Sequence, residues 1–173
     1  FVQVDTDLRD MPYNVLERLT GIKDIFIEQL GAFGDVDRVH YRRIITIAYY
    51  ALISPGNYTL KTGEGAKDVG WFAVEEVREL IFDHEDILAF GLHRLKEKIK
   101  TVPIGKALLP ERFTLSQLQK LYEAILQKKL DTRNFRRKML GSKILRGTGE
   151  YAQDVPYRAP EFFEFDNDQY EQI

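Results

Sequence analysis

The clearest hydrophobic pattern in the chain lies between Asp83 and Ile99. Large aliphatic residues recur there at helical spacing while charged residues occupy the opposite side, and the apolar stripe consists of Ile87, Leu88, Leu92, Leu95 and Ile99. This periodicity predicts an amphipathic helix. Proline and glycine residues follow closely after it, so we expect a connection between two domains at residues 102–111.

Upstream of this helix, runs of β-branched and aromatic residues predict strands. The segment Ile44–Ile53 is almost wholly apolar and predicts a buried central strand, and Phe26–Phe33 and Val69–Val74 predict two more. Thr62–Gly65 predicts a loop or a hairpin tip. A phosphate-binding loop is the alternative for these glycines, but the spacing of that motif is absent.

Downstream of the connection, the pattern predicts a helix with a defined start. Thr114 and Gln117 have the spacing of a capping box, in which each side chain bonds the backbone N–H of the other residue. The helix is expected to run from about Leu115 to near Gln127. One apolar stripe follows this start, formed by Leu115, Leu118, Tyr122 and Ile125.

A short turn leads from this helix to a second, strongly basic one. Asp131 is the expected N-cap of a helix over residues 132–140, and Gly141 is its expected end. Phe135 and Met139 are four residues apart and should point into a core. The remaining positions carry cations and one amide, and those that share or flank one face are Arg133, Asn134, Arg136, Arg137 and Lys138.

Two apolar segments complete this half of the chain. Ile144-Leu145 and Phe162–Phe165 predict two strands around a flexible loop that holds Arg146 and Arg158. A helix, a turn, a basic helix and a two-stranded wing form the order of a winged helix-turn-helix module. The basic helix of such a module enters the major groove, and wing cations hold phosphates. The alternative is a helical module whose basic face is simply solvated.

This interpretation assigns the DNA contacts by residue type, because arginine pairs with guanine, asparagine pairs with adenine, and both hold phosphates. The predicted base and phosphate readers are Arg133, Asn134, Arg136 and Arg137. The predicted phosphate contacts are Thr132, Lys138, Lys143, Arg146 and Arg158.

Charge supports a division of labour between the two halves. The chain has 173 residues and a net charge of −2, yet residues 1–111 carry 14 basic and 18 acidic residues, whereas residues 112–165 carry 11 and 6. A basic module beside an acidic one indicates a polyanionic partner for the second. The absence of cysteine excludes disulfides, thiolate metal sites and cysteine catalysis. No apolar run is long enough to span a membrane, so we expect a soluble, cytoplasmic protein.

Phe113–Ile125 and Leu130–Lys138 resemble the winged helix part of the Nudix-related transcriptional regulators, the NrtR family. This resemblance implies an α+β protein, with a Nudix-like α/β/α sandwich at residues 1–101 and a linker at 102–111. A winged helix domain at 112–166 and an acidic tail at 167–173 would follow. The chain begins at Phe1 inside an expected strand, so we expect the sandwich to be incomplete at its N-terminus.

The resemblance also implies where a Nudix hydrolase would carry its catalytic acids. With Gly21-Ile22 as the end of the Nudix box, the acidic and arginine positions are occupied by Asn14, Val15, Arg18 and Leu19. A Nudix hydrolase needs several carboxylates here to hold Mg²⁺. Glu17 lies at the variable position of the box. We therefore expect an inactive Nudix fold without catalytic residues, bound metal or cofactor.

The same resemblance implies an effector cavity along Gln29–Arg38 and the strand through Tyr49. The candidate effector residues are Phe33, Asp35, Asp37, Arg38 and Tyr49. Asp83-His84 matches a family motif, for which a helix cap is favoured over a metal pair. The eroded box points to the branch of the family in Bacteroidetes that responds to L-arabinose. An ADP-ribose-responsive regulator of NAD metabolism is the alternative, and a residual Nudix hydrolase is the second.

The expected function is that of a repressor. A homodimer would present two basic helices to a palindromic operator in double-stranded DNA, and a pentose or ADP-ribose would weaken that binding. An RNA or nonspecific nucleic-acid binder and a protein-interaction module remain rival hypotheses for the basic half.

Overall fold

The computed structural model describes residues 4–101, 104–106, 108–153, 159–166 and 168. The helices are α1 (Met11–Thr20), α2 (His84–Thr101), α3 (Leu115–Leu126) and α4 (Thr132–Gly141); the strands are β1 (Glu28–Phe33), β2 (Thr46–Tyr50), β3 (Phe113–Thr114), β4 (Leu145–Tyr151) and β5 (Glu161–Phe165). The chain divides into two compact units, Phe1–Gly91 and Leu92–Ile173. No described helix is long and apolar enough to cross a membrane.

In the first unit, α1 ends against a glycine-containing loop. Gly21 has φ 74° and its N–H donates to the Glu17 carbonyl at 2.8 Å, so a residue that tolerates the left-handed conformation terminates the helix. The N–H of Gly63 donates to the Leu19 carbonyl at 3.2 Å. A Cβ at Gly63 would lie 1.7 Å from the Arg18 carbonyl oxygen, so only glycine fits. The predicted loop at Thr62–Gly65 is confirmed, and its glycine serves this close approach.

The sheet of the first unit is smaller than the sequence predicts. β1 and β2 pair antiparallel, from Glu28 opposite Tyr50 to Phe33 opposite Thr46. The prediction of a buried central strand over Ile44–Ile53 is wrong in both length and burial: the strand has five residues, all of them half-buried. The physical reason is that β1 is the only partner of β2 in the described part of the chain.

The predicted strand at Val69–Val74 is also wrong. This segment has no regular structure up to a short 3-10 turn at Val74–Glu76, and Phe72 remains 72% exposed. The Val69 N–H donates to the Asp68 carboxylate at 2.8 Å, which is a local bond of the kind that competes with strand pairing. High β-propensity did not produce a strand here because the residues have no strand beside them in the described structure.

The amphipathic helix is confirmed as α2, but the compact units divide within it. The division falls between Gly91 and Leu92, nearly three helical turns before the predicted linker begins. Ile99 explains this, because its side chain is only 3% exposed and lines a cavity together with residues of α3 and α4. Residues 102, 103 and 107 of the predicted linker lie outside the described residues.

The second unit is a three-stranded sheet with helices packed against it. The strand order is β3-β5-β4, with both pairs antiparallel, and Phe113 on β3 stands opposite Phe163 on β5. The predicted strand at Phe162–Phe165 is confirmed as β5, whereas the one at Ile144-Leu145 begins at Leu145 and continues to Tyr151 as β4. The sequence pattern did not indicate β3 because two residues carry no periodicity. The core combines both helices and the sheet, and its buried members include Phe113, Leu115, Leu118, Tyr122, Phe135, Met139, Ile144 and Phe163.

Candidate nucleic-acid interface and ligand cavity

The start of each helix in the second unit is capped as the sequence predicts. The Thr114 hydroxyl accepts from the Gln117 N–H at 3.3 Å, and the Gln117 side chain accepts from the Thr114 N–H at 2.7 Å. Asp131 accepts from the Asn134 N–H at 2.8 Å and so caps α4. These bonds satisfy helix N–H groups that would otherwise have no partner, and they define where α4 begins.

Two polar residues of α3 hold the turn that leads to α4, and the sequence analysis missed both. Glu123 accepts from the Leu130 N–H at 2.9 Å, and the Gln119 amide donates to the Leu130 carbonyl at 3.0 Å. Hydrogen bonds from Leu130 and Gln119 lower the pKa of Glu123, assisted by Lys129. Gln119 and Glu123 are four residues apart and so share one helix face, but Ser116, Gln117 and Lys120 are polar as well, so this spacing did not indicate the turn as their partner.

α4 separates its apolar and basic residues cleanly. Phe135 and Met139 are 6% and 4% exposed, and the Phe135 ring meets the Tyr122 ring edge-on at 5.3 Å between centroids. Arg133 and Arg136 are exposed and have no hydrogen-bond or ion-pair partner among the residues that the structure describes. The predicted core and the predicted basic surface of this helix are therefore both present.

The other predicted readers on α4 have local contacts. The Arg137 guanidinium donates to the Asn134 amide oxygen at 2.9 Å, so these two side chains are ordered against each other. Thr132 accepts from Gln119 at 3.2 Å. Lys138 lines a cavity of about 340 Å³ next to Phe135 and Met139. Four predicted DNA contacts with local partners or neighbours are thus exposed on the same helix as Arg133 and Arg136: Thr132, Asn134, Arg137 and Lys138.

The end of α4 differs from the prediction. Gly141 is the last helical residue rather than the residue that stops the helix, and the Ser142 N–H caps the carbonyls of Lys138 and Met139. The left-handed position is Lys143, with φ 60°. Lys143 is exposed in this turn, so the candidate phosphate contact stands directly before the wing.

Arg146 does not lie in a flexible loop as predicted. It is the second residue of β4, opposite Glu164 on β5, and its guanidinium donates to the Glu164 carboxylate at 2.9 Å through Nε and again through Nη2. A strand position explains the difference, because regular pairing with β5 continues through Arg146 to Gly147. Arg158, the other predicted wing cation, lies outside the described residues.

The first unit contains two adjoining open cavities, of about 580 Å³ and about 530 Å³, which share Met11, Val15 and Ile45. The larger is mostly apolar and includes Tyr49. The lining of the smaller includes three nitrogen-bearing side chains, those of Arg38, Arg43 and His84. An apolar compartment beside a cationic one suits a ligand with an aromatic or apolar group joined to an anion.

Arg38 is the most constrained of the candidate effector residues. Its Nε and Nη2 donate to the two carboxylate oxygens of Asp83 at 2.7 Å each, and its Nη1 donates to the Thr46 hydroxyl at 2.7 Å. The side chain of Arg38 is 3% exposed and that of Asp83 is 20% exposed. These hydrogen bonds hold the pKa of Asp83 below its ordinary value, although burial acts in the opposite direction.

The predicted helix cap at Asp83 is therefore only partly present. The Asp83 carbonyl accepts from the Ile87 N–H at 3.1 Å, which makes Asp83 the residue before α2, but its carboxylate binds Arg38. His84 contacts the Phe82 ring edge-on, with 6.0 Å between the ring centroids. Within the described chain, no group of three or more potential ligands could hold a metal ion.

The remaining candidate effector residues are dispersed. Tyr49 lines the larger cavity, and its hydroxyl donates to the Leu8 carbonyl at 3.4 Å. Phe33 packs edge-on against Phe90 at 5.6 Å and lines neither cavity. Asp35 precedes a short 3-10 turn at Val36–Arg38 and Asp37 lies within it; both are exposed and line neither cavity. The structure thus brings Arg38 and Tyr49 to adjoining cavities and leaves the other three outside them.

The positions on α1 that the resemblance assigns to the acids and arginine of a Nudix box carry no carboxylate. Val15 lines both cavities and Leu19 lines the larger one, and both are apolar. Arg18 donates from Nη1 to the Glu64 carbonyl at 2.8 Å and so binds the glycine loop. The Arg18 side chain therefore joins α1 to the loop at Thr62–Gly65.

Comparison with known proteins agrees with this two-part arrangement. Residues 105–165 match the NrtR DNA-binding winged helix domain family. Shewanella oneidensis NrtR complexed with a 27mer DNA has a similar structure, at a TM-score of 0.79 and 25% identity over 99% of this chain and 79% of that one. A MutT/nudix family protein from Enterococcus faecalis shares the fold, at a TM-score of 0.78 and 23% identity over 96% of this chain and 71% of that one.

A curated relative extends the similarity to a named regulator. The chain is 30% identical to the ADPR responsive transcriptional repressor NtrR of Acinetobacter baylyi over 151 residues, and these aligned residues are 86% of this chain. The chain spans 60% of the length of that relative. The structure and these matches define a Nudix-like fold followed by a winged helix DNA-binding domain. This arrangement is similar to that of the NrtR protein with which the chain is compared.

The comparisons bear unequally on the two effectors considered from the sequence. The name of the Acinetobacter relative describes an ADPR-responsive protein. None of the similar proteins described above is named for a sugar, so membership of the L-arabinose-responsive branch gains no support. The ADP-ribose alternative is the better supported of the two.

Proposed function

We propose that the chain is a transcriptional repressor that binds double-stranded DNA through α4 and responds to ADP-ribose or a similar nucleoside diphosphate derivative in its Nudix-like unit. The observation that carries the DNA-binding part is the exposed basic surface of α4, where Arg133 and Arg136 have no partner in the described structure. Phe135 and Met139 anchor the opposite side of the same helix in the core.

Physical reasoning favours DNA over a merely solvated surface. Like charges at neighbouring helical positions repel by a few tenths of a kcal/mol per pair, and an external polyanion removes that cost. An arginine without an internal carboxylate partner retains its bidentate donors for guanine or phosphate. The cap by Asp131 fixes where α4 begins and so which backbone positions present these side chains.

The test compares wild-type protein with Arg133→Ala and Arg136→Ala, using a duplex selected by the wild-type protein from a random library. Each substitution should reduce affinity, by about 1–3 kcal/mol if it removes a base contact. A phosphate contact would instead reduce the salt slope by about 0.9. Lys67→Ala, an exposed cation of the first unit, is the matched control. Unchanged binding in the double variant Arg133→Ala/Arg136→Ala would remove DNA binding through α4.

The effector part of the proposal is supported by the two adjoining cavities. An adenosine group suits the apolar compartment that includes Tyr49, and a pyrophosphate suits the compartment with Arg43 and His84. The name of the Acinetobacter relative points the same way. Calorimetric titration with ADP-ribose and, separately, with L-arabinose distinguishes the candidates. Binding of the pentose alone would restore the sugar hypothesis.

We propose that this unit binds its effector without hydrolysing it, because Asn14, Val15, Arg18 and Leu19 supply none of the carboxylates with which a Nudix hydrolase holds Mg²⁺. Purified protein with ADP-ribose and Mg²⁺ should release no AMP above the background without enzyme. Turnover that Glu17→Gln abolishes would favour the residual hydrolase instead.

A homodimer on a palindromic operator in the cytoplasm remains our proposal for the assembly. Sedimentation with and without DNA measures the number of protomers, and scrambling one half-site should sharply weaken binding. Equal binding to single half-sites by a monomer would refute the dimer.

A further inference from the structure

The Arg38–Asp83 ion pair joins the ligand cavity to the beginning of α2. Arg38 lines the smaller cavity, and Asp83 immediately precedes α2 and accepts the Ile87 N–H. The guanidinium has five N–H donors, of which three are used by Asp83 and Thr46. The pair therefore ties β2 to the first turn of α2 while one of its members borders the space for a ligand.

An anionic ligand in this cavity would compete with Asp83. Phosphate oxygens accept from arginine in the same bidentate geometry as a carboxylate. Arg43 adds positive charge to the lining of the same cavity and His84 adds a ring nitrogen, and Arg43 has no ion-pair partner in the described structure. Arg38 lines the same cavity as Arg43 and His84. An anion bound by Arg43 and His84 would therefore attract the Arg38 guanidinium away from Asp83.

α2 reaches from this pair to the support of α4. It is one uninterrupted helix from His84 to Thr101, and its residues from Leu92 onward belong to the second unit. There Ile99 is buried and lines a cavity together with Phe135 and Met139, the residues that anchor α4. A continuous helix can carry coupling between its two ends when the contacts at each end bias its position.

We propose that the Arg38–Asp83 pair is the point at which an anionic ligand acts on α2, and that its rupture disfavours the DNA-binding state. The inference rests on the proposed function. Arg38 and Asp83 are positioning residues in this scheme: the intact pair stabilises the DNA-competent arrangement, and the ligand binds more tightly when Asp83 no longer competes. Ligand and DNA then oppose each other with one reciprocal coupling.

Asp83→Asn tests the proposal because it keeps the shape of the side chain and removes the charge that holds Arg38. Without any ligand, its affinity for the selected duplex should fall by at least about fivefold, the lower end of ordinary allosteric coupling. Its affinity for ADP-ribose should rise by a similar factor. Asp86→Asn, which removes an acid from the same helical turn, is the matched control and should change neither affinity.

The two affinities separate this proposal from simple destabilisation. A variant that had only lost fold stability would bind both partners less tightly, and that result would overturn the inference. Unchanged affinity for DNA in Asp83→Asn would also overturn it while leaving the repressor function intact. If wild-type protein fails to bind any duplex, the proposed function itself fails. If wild-type protein binds DNA but not ADP-ribose, the proposed effector is wrong. The DNA affinities of wild type and Asp83→Asn, both without ligand, then still decide whether the Arg38–Asp83 pair stabilises the DNA-binding state.

Discussion

Arg146 and Glu164 stand opposite each other on β4 and β5, joined by a hydrogen bond of 2.9 Å between Nε and Oε1. The carboxylate raises the pKa of the Arg146 guanidinium further, so the charge of this residue is permanent and partly neutralised by its neighbour. A DNA phosphate near the wing would have to replace Glu164 in order to bind Arg146. The pair therefore lowers the contribution of this cation to DNA affinity.

Removing the competing carboxylate should make Arg146 available. Glu164→Gln is expected to strengthen DNA binding and to steepen the dependence of log affinity on log salt by up to about 0.9, because one more phosphate is neutralised. Fluorescence anisotropy over a range of salt concentrations measures both. Arg146→Ala serves as the comparison, and an unchanged slope in Glu164→Gln would mean that the pair has only a structural role.

The core contact beneath α4 should be sensitive to truncation. Phe135→Ala removes a ring that is 6% exposed and leaves a space beside Tyr122, at an expected cost of about 3–5 kcal/mol in the free energy of unfolding. Urea denaturation monitored by circular dichroism measures the change. Leu140→Ala, at a position 45% exposed on the same helix, should cost no more than about 0.5 kcal/mol. Similar costs for the two variants would contradict the assigned burial.

The cap of α4 should contribute both stability and affinity. Asp131→Ala leaves the Asn134 N–H without its acceptor and is expected to reduce the free energy of unfolding by about 0.5–2 kcal/mol. DNA binding should weaken as well, since the first turn of α4 carries Arg133. Asp131→Asn retains a capping oxygen and should restore most of both quantities. Equal losses in the alanine and asparagine variants would argue against capping.

Acid should weaken the first unit through Asp83. Its pKa is lowered in the folded protein, so the ion pair with Arg38 contributes stability above the unfolded value of about 3.9, and this contribution is lost as pH falls through the lower folded value. Asp83→Asn should therefore be less stable than wild type at neutral pH and converge with it in acid. Melting temperatures between pH 2 and pH 7, on the order of one measurement per half unit, test this. A constant difference would contradict it.

The sequence predicted those features that depend on local chemistry. The capping box at Thr114, the cap at Asp131 and the burial of Phe135 and Met139 follow from residue type and helical spacing, and all are confirmed. The strands of the first unit were predicted less well, because strand formation requires a partner that propensity cannot supply. Val69–Val74 has the composition of a strand and remains irregular.

Side-chain pairing in the site was beyond sequence pattern for a related reason. Arg38 and Asp83 are 45 positions apart, and Arg146 and Glu164 are 18 apart. No periodicity connects residues at such separations, so Arg38 was interpreted as a free effector contact and Arg146 as a loop cation. The contacts of Gln119 and Glu123 with the turn before α4 were likewise visible only in three dimensions.

The boundary between the two compact units falls inside α2, so neither unit can be replaced by that of a relative without cutting this helix. A fragment beginning at residue 102 would lack Ile99 and leave the apolar residues around it open to water, whereas one beginning at Leu92 would keep that residue. Exchange of halves between relatives would have to splice within the helix and in register, since one added residue turns every later side chain by about 100°. Recombination within residues 102–111 would instead give a second domain whose core lacks Ile99.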